Sequence, residues 1–274
     1  MKPVLLISST VSLAAAFCGH GTTLHSRDLP SPVSTFGYDG INGPLGWYGL
    51  NTTTNSACAL GRHQSPINIA TANFTKVGAE NLNFTFDDYP DGAEIENLGT
   101  TLEVFINGSM TIDTKQYKLK QLHFHGPSEH HFDHEIFPME VHFVLQADDA
   151  SLSVISFPIQ LGSSSQLLQA VFAHVDDVDD PGSVGRTGGF TFKGTGLARR
   201  LAFSQYIRYS GSLTTPPCTE GVTWSVVLQP LYIDPGTYNK VKRIMAYNAR
   251  YTQNGLGEMN LLDAARERLD QGSR

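Results

Sequence analysis

Three of the ten histidines in this 274-residue sequence fall at spacings that could hold a metal. In Gln121-Leu122-His123-Phe124-His125, strand geometry turns residues i and i+2 to one face. Gln121, His123 and His125 then share a face, and Leu122 and Phe124 take the other. A second alternating segment, Met139-Glu140-Val141-His142-Phe143-Val144, puts Glu140, His142 and Val144 together, opposite Met139, Val141 and Phe143. The 13 residues from Gly126 to Pro138 can connect two antiparallel neighbours, which would bring His123, His125 and His142 to one point.

Three neutral imidazoles leave one position of a tetrahedral Zn²⁺ ion open, the layout of a catalytic zinc site. Such an ion lowers the pKa of a bound water to about 7 and supplies hydroxide at neutral pH. Gln121 and Glu140 are placed to accept hydrogen bonds from neighbouring rings and so fix their tautomers. A lone His-x-His is common on half-buried strands. The third histidine, with an amide and a carboxylate on the same faces, is what separates this pattern from chance. A rival uses the same residues: His123-x-His125-x3-Glu129 resembles the first metal motif of cupins, where Glu129 would ligate a redox metal directly. Against it, Ile136 stands where that motif has glycine, and no P-x-G-x-x-H segment follows.

The elements that must position these residues are mostly strands. Apolar residues make up 40% and charged residues 16%, below the roughly 25% charge of an average domain, which fits a disordered chain poorly. Nineteen basic against 26 acidic residues give a net charge of −7, which argues against non-specific nucleic-acid binding. Fifteen Phe and ten Tyr favour strands over a helical bundle. Short apolar runs at 82–86, 93–96, 101–106, 110–113, 116–125, 139–146, 152–159 and 222–229 alternate with turn signals, predicting one antiparallel-rich β domain. Helical spacing is confined to 165–174 and, more weakly, to 236–247 and 261–269, and the acidic, Gly-rich stretch 176–189 reads as a surface loop.

Residues 1–16 have the basic start, apolar core and small-residue end of a secretory signal, cut most simply after Ala16, with a polar lead-in over 17–35. No other apolar run is long enough to span a bilayer, and the polar C-terminus lacks a lipid-anchor tail. Export gives the cysteines meaning. Cys18 lies at the edge of the signal, and Cys58 and Cys218 most simply form one disulfide in an oxidising compartment. The sequons at Asn51, Asn73, Asn83 and Asn107 fit a secreted glycoprotein, and Asn107-Gly108 is also a hairpin-turn signal.

Several ordered blocks resemble the α-class carbonic anhydrases of secreted fungal or bacterial type, from about Tyr38 to Gln253. They are Tyr38-x3-Asn42-Gly43-Pro44-x2-Trp47, Gln64-Ser-Pro-Ile-Asn-Ile69, Gln121-Leu-His-Phe-His125, Ser128-Glu129-His130, Phe137-Pro-Met-Glu-Val-His142-Phe143, Ser210-Gly-Ser-Leu-Thr-Thr-Pro-Pro217, Val222-Thr-Trp224 and Asn248-x-Arg250-x2-Gln253. The resemblance implies a mainly β (α+β) catalytic domain over 36–258, built on a large twisted, mostly antiparallel sheet of about ten strands with few peripheral helices. A tail over 259–274 with helical character would follow. It implies one Zn²⁺ held by His123, His125 and His142, and reversible hydration of carbon dioxide to bicarbonate and a proton, with activated esters as side substrates. Thr214 would accept the proton of zinc-bound hydroxide and donate its own to Glu129, and Thr215 would contact bicarbonate. Val144, Val154, Leu213, Val222 and Trp224 would form the apolar wall for carbon dioxide. Cys58 and Cys218 match the disulfide of secreted members, sulfonamides and anions are the expected inhibitors, and monomer and homodimer both fit. Thr100 stands where many fast members carry a proton-shuttle histidine. That implies slower, buffer-dependent turnover unless His63, His130, His131 or His134 serves instead.

Overall fold

The computed structural model describes residues 33–78 and 82–272. The signal, Cys18 and the lead-in up to residue 32 lie outside the described residues. Within them are fourteen strands and six α-helices. The strands are β1 (Asn68–Ile69), β2 (Lys76–Gly78), β3 (Leu82–Phe86), β4 (Glu94–Asn97), β5 (Leu102–Phe105), β6 (Gly108–Ile112), β7 (Lys115–His125), β8 (His131–Phe132), β9 (Met139–Gln146), β10 (Leu152–Leu161), β11 (Val184–Arg186), β12 (Gln205–Ser212), β13 (Glu220–Val227) and β14 (Leu231–Ile233). The helices are α1 (Trp47–Leu50), α2 (Ser56–Leu60), α3 (Gln166–Val171), α4 (Leu197–Ala202), α5 (Pro235–Met245) and α6 (Leu261–Gly272).

Twelve strands form one sheet, whose main path runs β11-β4-β5-β7-β9-β10-β13-β12-β2. The sheet is mixed: β10 pairs in parallel with β13 and β14, and every other pairing in it is antiparallel. It is thus wider than the expected ten strands. The additional strands come from irregular sequence: β11 is an edge strand inside the acidic stretch read as loop, and β2 is a three-residue edge. Asn107-Gly108 is not a hairpin turn. There the chain leaves β5, which pairs with β4 and β7, and enters β6, which pairs with β3 and β7. A Cβ on Gly108 would sit 2.3 Å from the Thr85 carbonyl oxygen, so glycine is required where β6 closes on β3. The hairpin lies one strand later, between β6 and β7, with Asp113 at φ 55°.

Period-two alternation gives the central strands two different faces. Leu122 and Phe124 of β7, Met139, Val141, Phe143 and Leu145 of β9, and Ile155, Phe157 and Ile159 of β10 pack into the main core with residues of α3, α4 and α5. Each such side chain contributes roughly 1.5–3 kcal/mol when fully buried. The opposite face carries Gln121, His123 and His125 of β7, Glu140, His142 and Val144 of β9, and Leu152, Val154 and Ser156 of β10. Its apolar members join a second cluster with β12 and β13. The large core therefore fixes the sheet from one side while the other side presents the polar residues.

Candidate metal centre

His123 and His142 are direct partners across β7 and β9. The ring centroids of His123, His125 and His142 lie 4.6 to 5.2 Å apart. One nitrogen from each comes within 4.8 Å of the others, close enough for a single ion to take a lone pair from all three. The hydrogen bonds decide which nitrogen each ring offers. His123 donates Nδ1–H to Gln121 Oε1 at 2.9 Å, and His125 donates Nδ1–H to the Asn248 carbonyl at 2.8 Å. Both therefore carry the lone pair on Nε2. His142 donates Nε2–H to Glu140 Oε1 at 2.8 Å, which leaves Nδ1 for a metal. Burial pushes His142 below the usual imidazole range against the pull of Glu140, toward the neutral form in which an imidazole binds a metal. Three imidazole donors on one sheet face suit Zn²⁺.

Glu140 is fully buried, and its carboxylate is saturated. Oε1 also accepts from His130 Nδ1–H at 2.7 Å and from the Ser156 hydroxyl. Oε2 accepts the backbone N–H groups of Glu129 and His130 at 2.9 and 2.8 Å. Burial alone would raise its pKa, but the His130 and His142 rings outweigh that and hold it well below the usual carboxylate range.

Glu129 is not one of the clustered ligands, so the cupin arrangement is not formed. Its Oε1 accepts the Arg250 backbone N–H at 2.9 Å. Burial pushes its carboxyl well above the usual range, against the Arg250 N–H and the Thr214 hydroxyl, which favour the charged form. Glu129 Oε2 has no partner of full hydrogen-bond geometry among the described residues.

Thr214 and Thr215 are buried in a loop closed by Leu213 N–H to the Thr219 carbonyl (2.9 Å) and Cys218 N–H to the Thr215 carbonyl (2.8 Å). The Cys58–Cys218 disulfide, with Cα atoms 5.0 Å apart, ties this loop to α2. Val144, Val154 and Trp224 stand in one row across β9, β10 and β13. They share an apolar cluster with Leu213 and Val222, and the Trp224 ring lies 4.9 Å from His142.

The sequence analysis gave no role to Asn248. Its carbonyl orients His125, its Oδ1 accepts the Gly126 N–H at 2.6 Å, and its amide donates to the carbonyls of Thr100 and Phe124. Arg250 is buried, with Nη1 on Gln64 Oε1 and the Ser65 carbonyl. Both residues lie in irregular chain, where only their place in the ordered blocks marks them. Thr100 is buried, its hydroxyl 2.7 Å from that of Ser34. Of the alternative histidines, His130 is locked inside the structure, His131 is half-buried, and His63 and His134 are exposed. The four sequon asparagines are all exposed.

A buried three-histidine cluster on one face of a mixed sheet, beside a row of apolar side chains, has the donor set of a zinc site that keeps one position open. Residues 42–274 match the eukaryotic-type carbonic anhydrase family, and the chain belongs to the α-carbonic anhydrases, lyases whose reaction is hydration of carbon dioxide. A carbonic anhydrase of Neisseria gonorrhoeae is 33% identical over 246 residues, covering 89% of this chain and 88% of that protein. The solved structure of a fungal α-carbonic anhydrase from Aspergillus oryzae superimposes with a TM-score of 0.80 at 45% identity, over 85% of this chain and 99% of that one. The α-carbonic anhydrase of Thermovibrio ammonificans in complex with the inhibitor sulfanilamide gives a TM-score of 0.72 at 31% identity, over 80% and 95%. No helix among the described residues is long and apolar enough to cross a membrane.

Proposed function

We propose that His123, His125 and His142 hold one Zn²⁺, and that Thr214 and Glu129 orient the reacting groups of reversible carbon dioxide hydration. The observation that carries this reading is the hydrogen-bond assignment that leaves Nε2 of His123, Nε2 of His125 and Nδ1 of His142 as a convergent donor set. When bound, zinc would lower the pKa of a water to about 7 and so supply hydroxide as nucleophile. Thr214 Oγ1, with its proton turned toward Glu129, presents a lone pair to the metal side. It therefore accepts a hydrogen bond there only from a ligand that carries a proton. Glu129 is held as the acceptor by the Arg250 N–H. Val144, Val154, Leu213, Val222 and Trp224 offer carbon dioxide a surface that competes for no hydrogen bonds, and Thr215 contacts bicarbonate before release. The disulfide and the exposed sequons Asn51, Asn73, Asn83 and Asn107 support secretion as a glycoprotein.

The test is stopped-flow carbon dioxide hydration on purified protein, with metal content measured on the same sample. About one zinc per chain with hydration that a sulfonamide inhibits is the expected result. Stoichiometric zinc without hydration would overturn the catalytic roles, and iron or manganese in place of zinc would overturn the metal.

A further inference from the structure

On the far side of the main core from the histidines, a groove runs along α3 that no step above uses. One lobe encloses about 640 Å³ between the start of α3, α4 and β14. The other encloses about 450 Å³ between α3, Pro90 and residues 189–195. Gln166 and Thr195 line both lobes, so the two meet there. Leu167, Leu197 and Leu231 of the first lobe and Phe190 of the second belong to the main core, which places the groove on the sheet face opposite the metal centre.

The two lobes differ in chemistry. The first is lined by Arg199 and Arg200, and neither has an acidic partner among the described residues. Arg200 Nη1 donates to the Pro230 carbonyl at 2.7 Å, which pins the guanidinium and leaves Nη2 for a ligand. Gln229 Oε1 accepts the Gln205 N–H at 3.3 Å, so its amide is left to donate. Phe203 stands at the rim, 81% exposed. The second lobe has no charged side chain, and Pro90, Ala170 and Phe190 give it apolar walls. In a chain of net charge −7, no acidic residue lines either lobe. Two carboxylates border the groove and are committed elsewhere: Asp234 to the Thr237 N–H and the Ser164 hydroxyl, and Asp88 to the Phe192 N–H. A cleft with charge of one sign and low-polarity walls concentrates ligands of the other sign.

We propose that this groove binds an amphipathic organic anion: a carboxylate held by Arg199 and Arg200, with its apolar body lying past Gln166 toward Ala170 and Phe190. Guanidinium forks match a carboxylate through paired N–H donors. Hydrocarbon that leaves water in the second lobe supplies the rest of the affinity. Both parts are needed: a bare anion meets only the arginines, and an uncharged chain only the apolar walls. No residue of the groove belongs to the metal centre, so the site stands independently of the zinc assignment.

The test is equilibrium dialysis of labelled decanoate against full-length protein whose metal centre is saturated with a sulfonamide. Decanoate should bind. Decyltrimethylammonium, with a similar chain and the opposite charge, should not, and hexanoate, with less apolar surface to bury, should bind more weakly. Arg199→Gln and Arg200→Gln should each weaken decanoate about tenfold, the scale of one hydrogen bond to a charged group. Gln166→Glu, which sets a like charge between the lobes, should weaken it too. Thermal midpoints of the three variants should match the parent, which shows that the loss is local. No binding of decanoate, equal binding of the cation, or affinities within twofold of the parent in both arginine variants would overturn the proposal. A chain without zinc should bind decanoate as the loaded one does, so failure of the metal assignment would leave this inference standing.

Discussion

Glu140 Oε2 accepts the backbone N–H of Glu129 at 2.9 Å. One buried carboxylate thus grips two parts of the site that lie on different segments: His142 through Oε1 and the Glu129 backbone through Oε2. Glu129 in turn interacts with Thr214, so the proposed metal ligand His142 and the proposed orienting pair Glu129–Thr214 share one anchor. The cost of burying that charge is offset by five donors, as a buried ionised carboxylate requires.

Removing one imidazole from the donor set should remove the metal. His142→Ala is expected to bring zinc content near zero after mild chelation and to abolish hydration. Metal analysis and stopped flow on the same preparation check this, and full activity in the variant would show that His142 is not a ligand.

Thr214→Ala should behave differently. Zinc stays, because no ligand is touched, while kcat/KM for hydration falls by about 10²-fold, the scale for losing one positioned hydrogen-bonding group. Glu129→Gln, which no longer supplies a pure acceptor to the Thr214 hydroxyl, should fall in the same direction. A Thr214→Ala enzyme with unchanged kcat/KM would remove Thr214 from the chemistry.

Proton export should limit turnover. Thr100 cannot titrate near pH 7, and its hydroxyl is already 2.7 Å from Ser34. Raising the concentration of a neutral-pH buffer should raise kcat while leaving kcat/KM unchanged, and Thr100→His should raise kcat in dilute buffer. A kcat independent of buffer would point to a shuttle elsewhere, with exposed His63 and His134 the first to substitute.

The disulfide closes a separation of 160 residues. In the chain-entropy treatment a loop of that size stabilises the fold by about 5 kcal/mol. Replacing both Cys58 and Cys218 by Ser should lower the urea midpoint accordingly. Activity should fall only as far as the Thr214 loop loosens. Equal midpoints for the oxidised and disulfide-free chains would show that the loop is held by its hydrogen bonds alone.

Asp234 caps α5, accepting the Thr237 N–H at 2.9 Å. That bond, the Thr237 side chain and the Ser164 hydroxyl lower its pKa from 3.8 to about 2. A depressed folded-state pKa stabilises above the unfolded value and loses that contribution as pH falls through the folded one. Asp234→Ala should therefore cost about 1 kcal/mol at pH 7. Urea midpoints of parent and variant should converge below pH 4. A gap that persists at pH 2 would mean that the cap is not acting through its charge.

The ligand histidines were legible because they obey a short-range rule. His123, His125 and His142 sit on strands whose period-two alternation is uninterrupted, and Gln121 and Glu140 lie two positions from the rings they bind. The hydroxyl of Ser156 on β10 and the backbone carbonyl of Asn248 reach the same site from other segments, and no local pattern marks either. The parallel pairing of β10 with β13 was not legible either, because alternation says which face a residue takes and not which strand lies alongside. β12 escaped notice because it alternates poorly: Tyr206 and Ile207, adjacent in sequence, are both fully buried, each in a different cluster.

That parallel pairing also sets an order of assembly. His123 and His142 become neighbours when two antiparallel strands close over a short connection. Thr214 comes near them only after the chain has run from the end of β10 at Leu161, through α3 and α4, to dock β13 alongside β10. Long closures come late because their entropy is lost before any contact repays it. The three imidazoles thus come from a local strand pair, while Thr214 and the Asn248 carbonyl that orients His125 reach them from segments far along the chain.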